Sequence, residues 1–193
     1  MKRIPTALVI TFFCFLASIA SADIVVPRQL FPGGLLNVRA PNAEGWEIVS
    51  SSEAGMAFAH RGAYTNENYV AQVSLFALPE TKNPDEFVAL IKRGVENDTP
   101  AERFKSLESG YEYTGQRGYP CVRFKGVTVD TKAKTSSFGQ ESLKLQVYSL
   151  YCRHPRHQEV GFSIGFLHRG TLLDAGLGAL AEEFIQGVQV PRK

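Results

Sequence analysis

Apolar and polar residues change their period several times along this chain, and each change marks an element. Over 69–78, Tyr69, Ala71, Val73, Leu75 and Ala77 alternate with Val70, Gln72, Ser74, Phe76 and Leu78 before Pro79 ends the run. A period of two is a strand signature. Segments 45–50 and 56–60 predict two earlier strands, joined by a turn over 51–55. The period then lengthens. Phe87, Leu90, Ile91 and Val95 recur at helical spacing, while Glu86, Lys92, Arg93 and Glu96 fill the other side. Asn83-Pro84-Asp85-Glu86 supplies an N-cap, a proline at the first helical position and an acid three residues after the cap. A helix over 84–97 follows, and Thr99-Pro100-Ala101-Glu102 repeats the start signal, predicting a further turn or two.

Four more strands are predicted over 109–114, 119–129, 143–152 and 160–168, the first two joined by Gly115-Gln116-Arg117-Gly118. In the last of them Val160, Phe162, Ile164 and Phe166 alternate with Gly161, Ser163, Gly165 and Leu167. One face is bulky and the other nearly bare, a pattern expected where another backbone element approaches closely. Thr171-Leu172-Leu173-Asp174 has the form of a capping box, after which Leu173, Leu177, Leu180, Phe184 and Val188 run down one side of a second helix. Segment 23–44 carries Pro27, Pro32, Gly33, Gly34 and Pro41, and so predicts an irregular lead-in with a short strand over 35–38. The order is three strands, helix, four strands, helix. It argues for α+β architecture in a single domain over 45–193, one antiparallel sheet flanked by helices.

The first 22 residues have a different character. Met1-Lys2-Arg3 precedes an uncharged, largely apolar run and closes on Ala20-Ser21-Ala22 before Asp23. A cationic start, an apolar middle and an A-x-A end are the parts of a secretory signal peptide, here expected to be cleaved after Ala22. An uncleaved anchor is the alternative, since 4–22 nearly spans a bilayer. Pro5, Thr6, Ser18 and Ser21 dilute that run. Export to the periplasm or beyond is therefore expected, with no stable membrane insertion after cleavage.

That address bears on the cysteines. Cys14 lies in the leader, leaving Cys121 and Cys152 for a compartment where disulfides persist. The two are equidistant from the Ser136-Ser137 bond. If those serines form a hairpin tip, Cys121 faces Cys152 directly, close enough for a disulfide. The ring of about 32 residues is worth roughly 3.7 kcal/mol in the chain-entropy model. A redox-active pair is the alternative, but the spacing is not C-x-x-C. Charge excludes more than it names. There are 21 Lys and Arg against 19 Asp and Glu, and Lys2 and Arg3 account for the difference. A balanced mature chain without like-charge blocks gives no basis for capturing nucleic acid.

The element order, with Trp46 near the start of the first hairpin, a helix after strand three and a terminal helix, resembles the Mog1/PsbP-like superfamily, which includes small periplasmic DcrB-type proteins. The resemblance covers about 45–190 and rests on element order. It implies a three-layer α/β/α sandwich and binding or assembly-accessory roles, with no catalytic residues to carry over. A helix-grip ligand-binding fold is the competing shape, and the helix over 84–97 counts against it.

Chemistry is sparsely signalled. Phe58-Ala59-His60-Arg61-Gly62 and Phe166-Leu167-His168-Arg169-Gly170 share an F-x-H-R-G pattern, each at a strand end. If the ends are neighbours, His60, Arg61, His168 and Arg169 form a candidate anion- or partner-binding surface; otherwise they are ordinary strand exits. His154 and His157 with Glu159 have partial metal-ligand spacing, but Pro155 and the missing fourth ligand favour a hairpin tip and no metal. Gly161-Phe162-Ser163-Ile164-Gly165 spells G-x-S-x-G, but inside the strand predicted over 160–168, so no serine sits in a strand-to-helix elbow of that pattern. Asn97-Asp98-Thr99 is formally a glycosylation sequon and reads better as the end of a helix. Tyr111, Tyr113, Tyr119, Tyr148 and Tyr151 fall in the sheet region, as core or as the floor of a ligand groove. The expected function is thus an exported, non-enzymatic binding or accessory protein of the bacterial periplasm, without cofactor, taking a protein partner or a small acidic ligand. The alternative is a periplasmic hydrolase using His60 or His168.

Overall fold

A computed structural model of the protein describes residues 24–133 and 142–191. The expected signal over 1–22 and the serine pair at the hairpin tip lie outside the described residues. Strands β1 (Leu30–Phe31) and β2 (Val38–Arg39) pair as a small antiparallel sheet. The main sheet holds β3 (Glu47–Ser52), β4 (Gly55–Arg61), β5 (Asn68–Ala77), β6 (Phe104–Thr114), β7 (Cys121–Asp130), β8 (Leu143–Arg153) and β9 (Val160–Gly170). Helix α1 (Pro84–Asp98) lies between β5 and β6 in the chain, and α2 (Leu177–Gly187) follows β9. The main sheet runs β3-β4-β5-β9-β8-β7-β6 with every pair antiparallel. Two meanders, β3–β5 and β6–β9, are therefore joined by pairing their last strands. The fold is α+β. No helix among the described residues is long and apolar enough to cross a membrane.

Both helices cover the sheet, from opposite sides. Phe87, Ile91 and Val95 of α1 pack with Val122 and Tyr151. Ala181, Phe184 and Ile185 of α2 pack with Phe58, Leu150, Phe162, Ile164 and Phe166. Leu150 and Tyr151 are consecutive on β8, so they point to opposite faces. The α2 side has a particular fit. Phe58, Ala71 and Phe166 stand in one row across β4, β5 and β9. The small Ala71 leaves a gap that Phe184 fills, its ring edge-on to Phe58 at 6.2 Å and to Phe166 at 5.9 Å.

Cys121 and Cys152 are directly paired across β7 and β8 and form a disulfide, with Cα atoms 4.1 Å apart. The register expected from their equal distance to the serine pair is the one observed. α1 also matches its signals: Asn83 accepts from the Glu86 N–H at 2.9 Å, and Pro84 opens the helix.

The start signal at 99–102 opens one further turn, as expected, with the Arg103 and Phe104 N–H groups both donating to the Pro100 carbonyl at 3.0 Å, and nothing longer. Other expectations are corrected. The Thr99 N–H ends α1 on the Glu96 carbonyl, and Pro100 turns the chain into β6, which begins at Phe104 rather than 109. The second helix starts at Leu177, not at the capping box. The Asp174 N–H is taken by Gln146 Oε1 on β8 at 2.6 Å, and its carboxylate accepts from the Gly176 N–H at 2.7 Å. Asp174 is a turn residue tied to the sheet, and Leu173 stays half exposed outside the helix. The bare face of β9 receives a side chain rather than a backbone. A Cβ on Gly161 would lie 2.3 Å from the ring of its cross-strand partner Phe76. The lead-in contributes Val25, Leu36, Val38 and Ala40 to the main core. Both outer strands bulge, β3 at Val49 and β6 at Leu107. Each bulge exposes the apolar residue and interrupts the open ladder, which discourages edge-to-edge association.

Candidate functional site

A cleft of about 470 Å³ opens between α2, the chain before β3 and one end of the sheet. Its floor is aromatic: Trp46, His60, Tyr69, Phe166 and Phe184 line it, and Arg28, Arg39 and Glu183 stand among its other lining residues. The floor follows from register. His60, Tyr69 and His168 occupy one row across β4, β5 and β9, continued by Gln146 on β8. Trp46 comes against this row because Gly45 takes φ +80°, a conformation other residues rarely adopt, and a Cβ there would sit 3.2 Å from His60 Nε2. The rings run on continuously, Trp46 to His60 at 5.5 Å, His60 to Tyr69 at 6.2 Å and Tyr69 to His168 at 4.7 Å.

Beneath the floor is a polar network. Tyr69 O–H donates to Asp174 Oδ2 at 3.1 Å. Burial, and then this bond, push the Tyr69 hydroxyl up to about 12, so it stays protonated at neutral pH. The Gln146 amide is oriented by the Asp174 backbone, its Oε1 accepting from the N–H and its Nε2 donating to the carbonyl at 3.3 Å. His168, 1% exposed, then has oxygens at both ring nitrogens, Gln146 Oε1 at 3.2 Å and Glu67 Oε1 at 2.9 Å. Both contacts are hydrogen bonds together only when the ring carries two protons. Burial raises the Glu67 carboxyl, but hydrogen bonds from His168 and from the backbone at Tyr64 and Ala63 outweigh it and hold it below its ordinary value. The network fixes the floor from below and has no atom free for a ligand at His168.

Four residues were expected to form one basic surface, and the structure separates them. The two strand ends do lie at the same end of the sheet, one strand apart. Within each repeat, however, histidine and arginine are consecutive in a strand and must point to opposite faces. His60 and His168 share the α2 face. Arg61 and Arg169 share the other, in the row with Asn68. Arg169 is committed to Asp130 at 3.3 Å, a buried carboxylate that also accepts from Arg103 at 2.9 Å. Of the four, His60 alone lines the cleft. No known protein-family model matches this chain, and no curated protein is detectably similar to it.

His154 is fully buried and structural: its Nδ1 accepts from the N–H groups of Arg156 and His157, at 3.3 and 3.1 Å, and its Nε2 meets the Leu35 carbonyl at 3.3 Å. Among the described residues no group of His, Cys, Asp and Glu is placed to hold a metal. Of the tyrosines singled out in the sheet, Tyr111 and Tyr151 join the α1 core, and Tyr148 lines a smaller cleft of about 380 Å³ beside the Arg123–Glu182 pair at 2.6 Å. Sequence reasoning missed Arg28, Arg39, Tyr69 and Phe184 as cleft residues. Trp46 followed by a His-bearing strand was the available signal. The Arg39 position depends on packing between β2 and α2, which carries no local pattern.

Proposed function

We propose that this protein is an exported, non-enzymatic binding or accessory protein of the bacterial periplasm, and that the aromatic cleft beside α2 is its binding site. The carrying observation is the cleft itself: a preformed concavity of about 470 Å³ with an apolar, ring-lined floor and a few polar groups at its margin. That is the ordinary form of a small-ligand site. The chemistry around it supports binding over hydrolysis. The cleft lining holds no serine, threonine or cysteine. Tyr69 is locked as a hydrogen-bond donor to Asp174, and His168 is engaged at both nitrogens. A covalent hydrolase using His60 would need a side-chain nucleophile, and Tyr69, already donating to Asp174, is not free to act as one. Helices packed on opposite faces of one antiparallel sheet support the three-layer α/β/α reading and the Mog1/PsbP-like resemblance, and the disulfide is compatible with an oxidising compartment.

Trp46 is the single tryptophan of the chain and is part of the floor, so its fluorescence reports on occupancy. Screening small molecules against Trp46 emission, with Phe184→Ala and His60→Ala as cleft variants, tests the reading. Saturable changes that weaken in the variants are expected. Turnover of any ester or amide substrate that is lost in His60→Ala would replace binding by hydrolysis.

A further inference from the structure

We propose that the occupant of this cleft is a small monocarboxylate carried on a flat aromatic body, with Arg39 as its charge partner; this deepens, and rests on, the reading of the cleft as a binding site. Three observations lead to it. The first is the charge of the lining, which has two arginines, Arg28 and Arg39, against one carboxylate, Glu183. Glu183 is already used, its Oε1 accepting from Arg28 Nη2 at 2.6 Å. Arg39 has no ion-pair partner among the described residues. The cleft therefore has one positive charge in excess, matched by a single negative charge. A guanidinium offers a carboxylate two parallel donors, which is more than a hydroxyl or amide can use.

The second observation is the shape of the walls. The half-buried rings of His60 and Tyr69, neighbours in one row of the sheet, face the cleft, and the buried Trp46 and Phe166 back them and hold them in place. A flat, stiff ligand gains stacking contact there and loses little rotamer freedom. A flexible acyl chain of equal area loses more, because each rotor must be ordered. The third is the construction of the mouth. Arg28 is the one non-glycine residue among those described with a positive φ, at 59°. It is held there by its own N–H on the Pro41 carbonyl at 3.3 Å and by the neighbouring Gln29 N–H on the Val26 carbonyl at 3.0 Å. Left-handed backbone is strained at a residue with a side chain and persists where surrounding contacts impose it. Here it aims the guanidinium across to α2, so Arg28 and Glu183 frame the opening and leave Arg39 for the ligand. At the same margin Gly187 allows the end of α2 to lie against Arg39, where a Cβ would be 3.2 Å from the Arg39 Cβ.

The test is isothermal titration calorimetry on the purified, disulfide-bonded protein with three probes: 2-naphthoate, its neutral counterpart 2-naphthalenemethanol, and decanoate. Saturable one-to-one binding of 2-naphthoate is expected, with the alcohol at least about tenfold weaker, the scale of one charge-assisted contact, and decanoate weaker because it keeps the charge but must order its rotors. Arg39→Gln should lose about tenfold for 2-naphthoate and little for the alcohol, while Arg39→Lys, which keeps the charge but not the paired donors, should fall between Arg39→Gln and the parent. Thermal unfolding of the Arg39 variants should match the parent, since the side chain is exposed. Equal binding of the alcohol, tighter binding of decanoate, or no effect of Arg39→Gln would overturn the assignment while leaving a binding cleft. Binding of none of the three would overturn both readings.

Discussion

Opening the Cys121–Cys152 bond separates two ways in which a cross-strand disulfide can hold a sheet. In the folded chain the bond has little left to do. Both cysteines are fully buried, β7 is paired on its other side by β6, and β8 by β9. The strands thus keep their register when the bond is absent, and two thiols occupy the place of the bridge. In the unfolded chain the bond closes a ring of roughly 32 residues, and opening it returns about 3.7 kcal/mol of chain entropy to that state. The expected loss on reduction is therefore about 3–4 kcal/mol, carried by the unfolded ensemble. Cys121→Ala with Cys152→Ala removes the same ring and also two buried sulfurs, adding about 1–2 kcal/mol of lost packing. Urea unfolding followed by Trp46 fluorescence, on oxidised protein, on protein reduced while unfolded and refolded under reductant, and on the double variant, measures all three. The unfolded chain without the ring is more expanded, so the denaturant slope should steepen as the midpoint falls. A loss under about 1 kcal/mol on reduction, or a full loss with an unchanged slope, would refute this account and place the effect in the folded core.

Asp98 supplies a pH test. Its Oδ2 is buried with no hydrogen-bond partner among the described residues, beside a cavity of about 30 Å³, and burial pushes its carboxyl up from 3.8 to about 6. The folded value exceeds the unfolded one, so ionisation opposes folding: the penalty is absent below 3.8 and complete above 6. Asp98→Asn should gain about 1 kcal/mol at pH 7.5, discounted for partial exposure, and nothing at pH 3.5; equal gains at both would contradict the cause. His154 has the opposite sign. Burial holds its imidazole below 6.5, so stability present above 6.5 is lost as pH falls through the lower folded value, and His154→Gln should flatten that slope in acid titrations of stability. Phe184→Ala should cost about 3–5 kcal/mol in urea unfolding, since it empties the gap over Ala71; a loss near that of an exposed residue would refute the packing. Protein recovered from the periplasm of an expressing bacterium should have the intact mass of a chain beginning at Asp23, whereas full-length chain in the membrane fraction would establish the anchor.

Local pattern and pairwise symmetry were enough for much of this fold. The alternation over 69–78, the Asn83-Pro84 start and the equal distances of Cys121 and Cys152 from the serine pair each express geometry within a few residues or within one hairpin. They led to β5, α1 and the disulfide register as the structure has them. Period two also contained the outcome for the F-x-H-R-G repeats, because consecutive strand residues cannot share a face. What the chain could not reveal by itself were contacts between elements distant in sequence. The pairing of β5 with β9 places His60, Tyr69 and His168 in one row, and no local signal specifies which strands become neighbours. The capture of Asp174 by Gln146 moves the start of α2, overriding a capping signal through a hydrogen bond 28 residues away in sequence. The cleft is the extreme case. Arg28, Arg39, Trp46, His60 and Phe184 come from five separate segments, and they converge only because burying the apolar face of α2 over Ala71 draws the N-terminal chain and the sheet end around it.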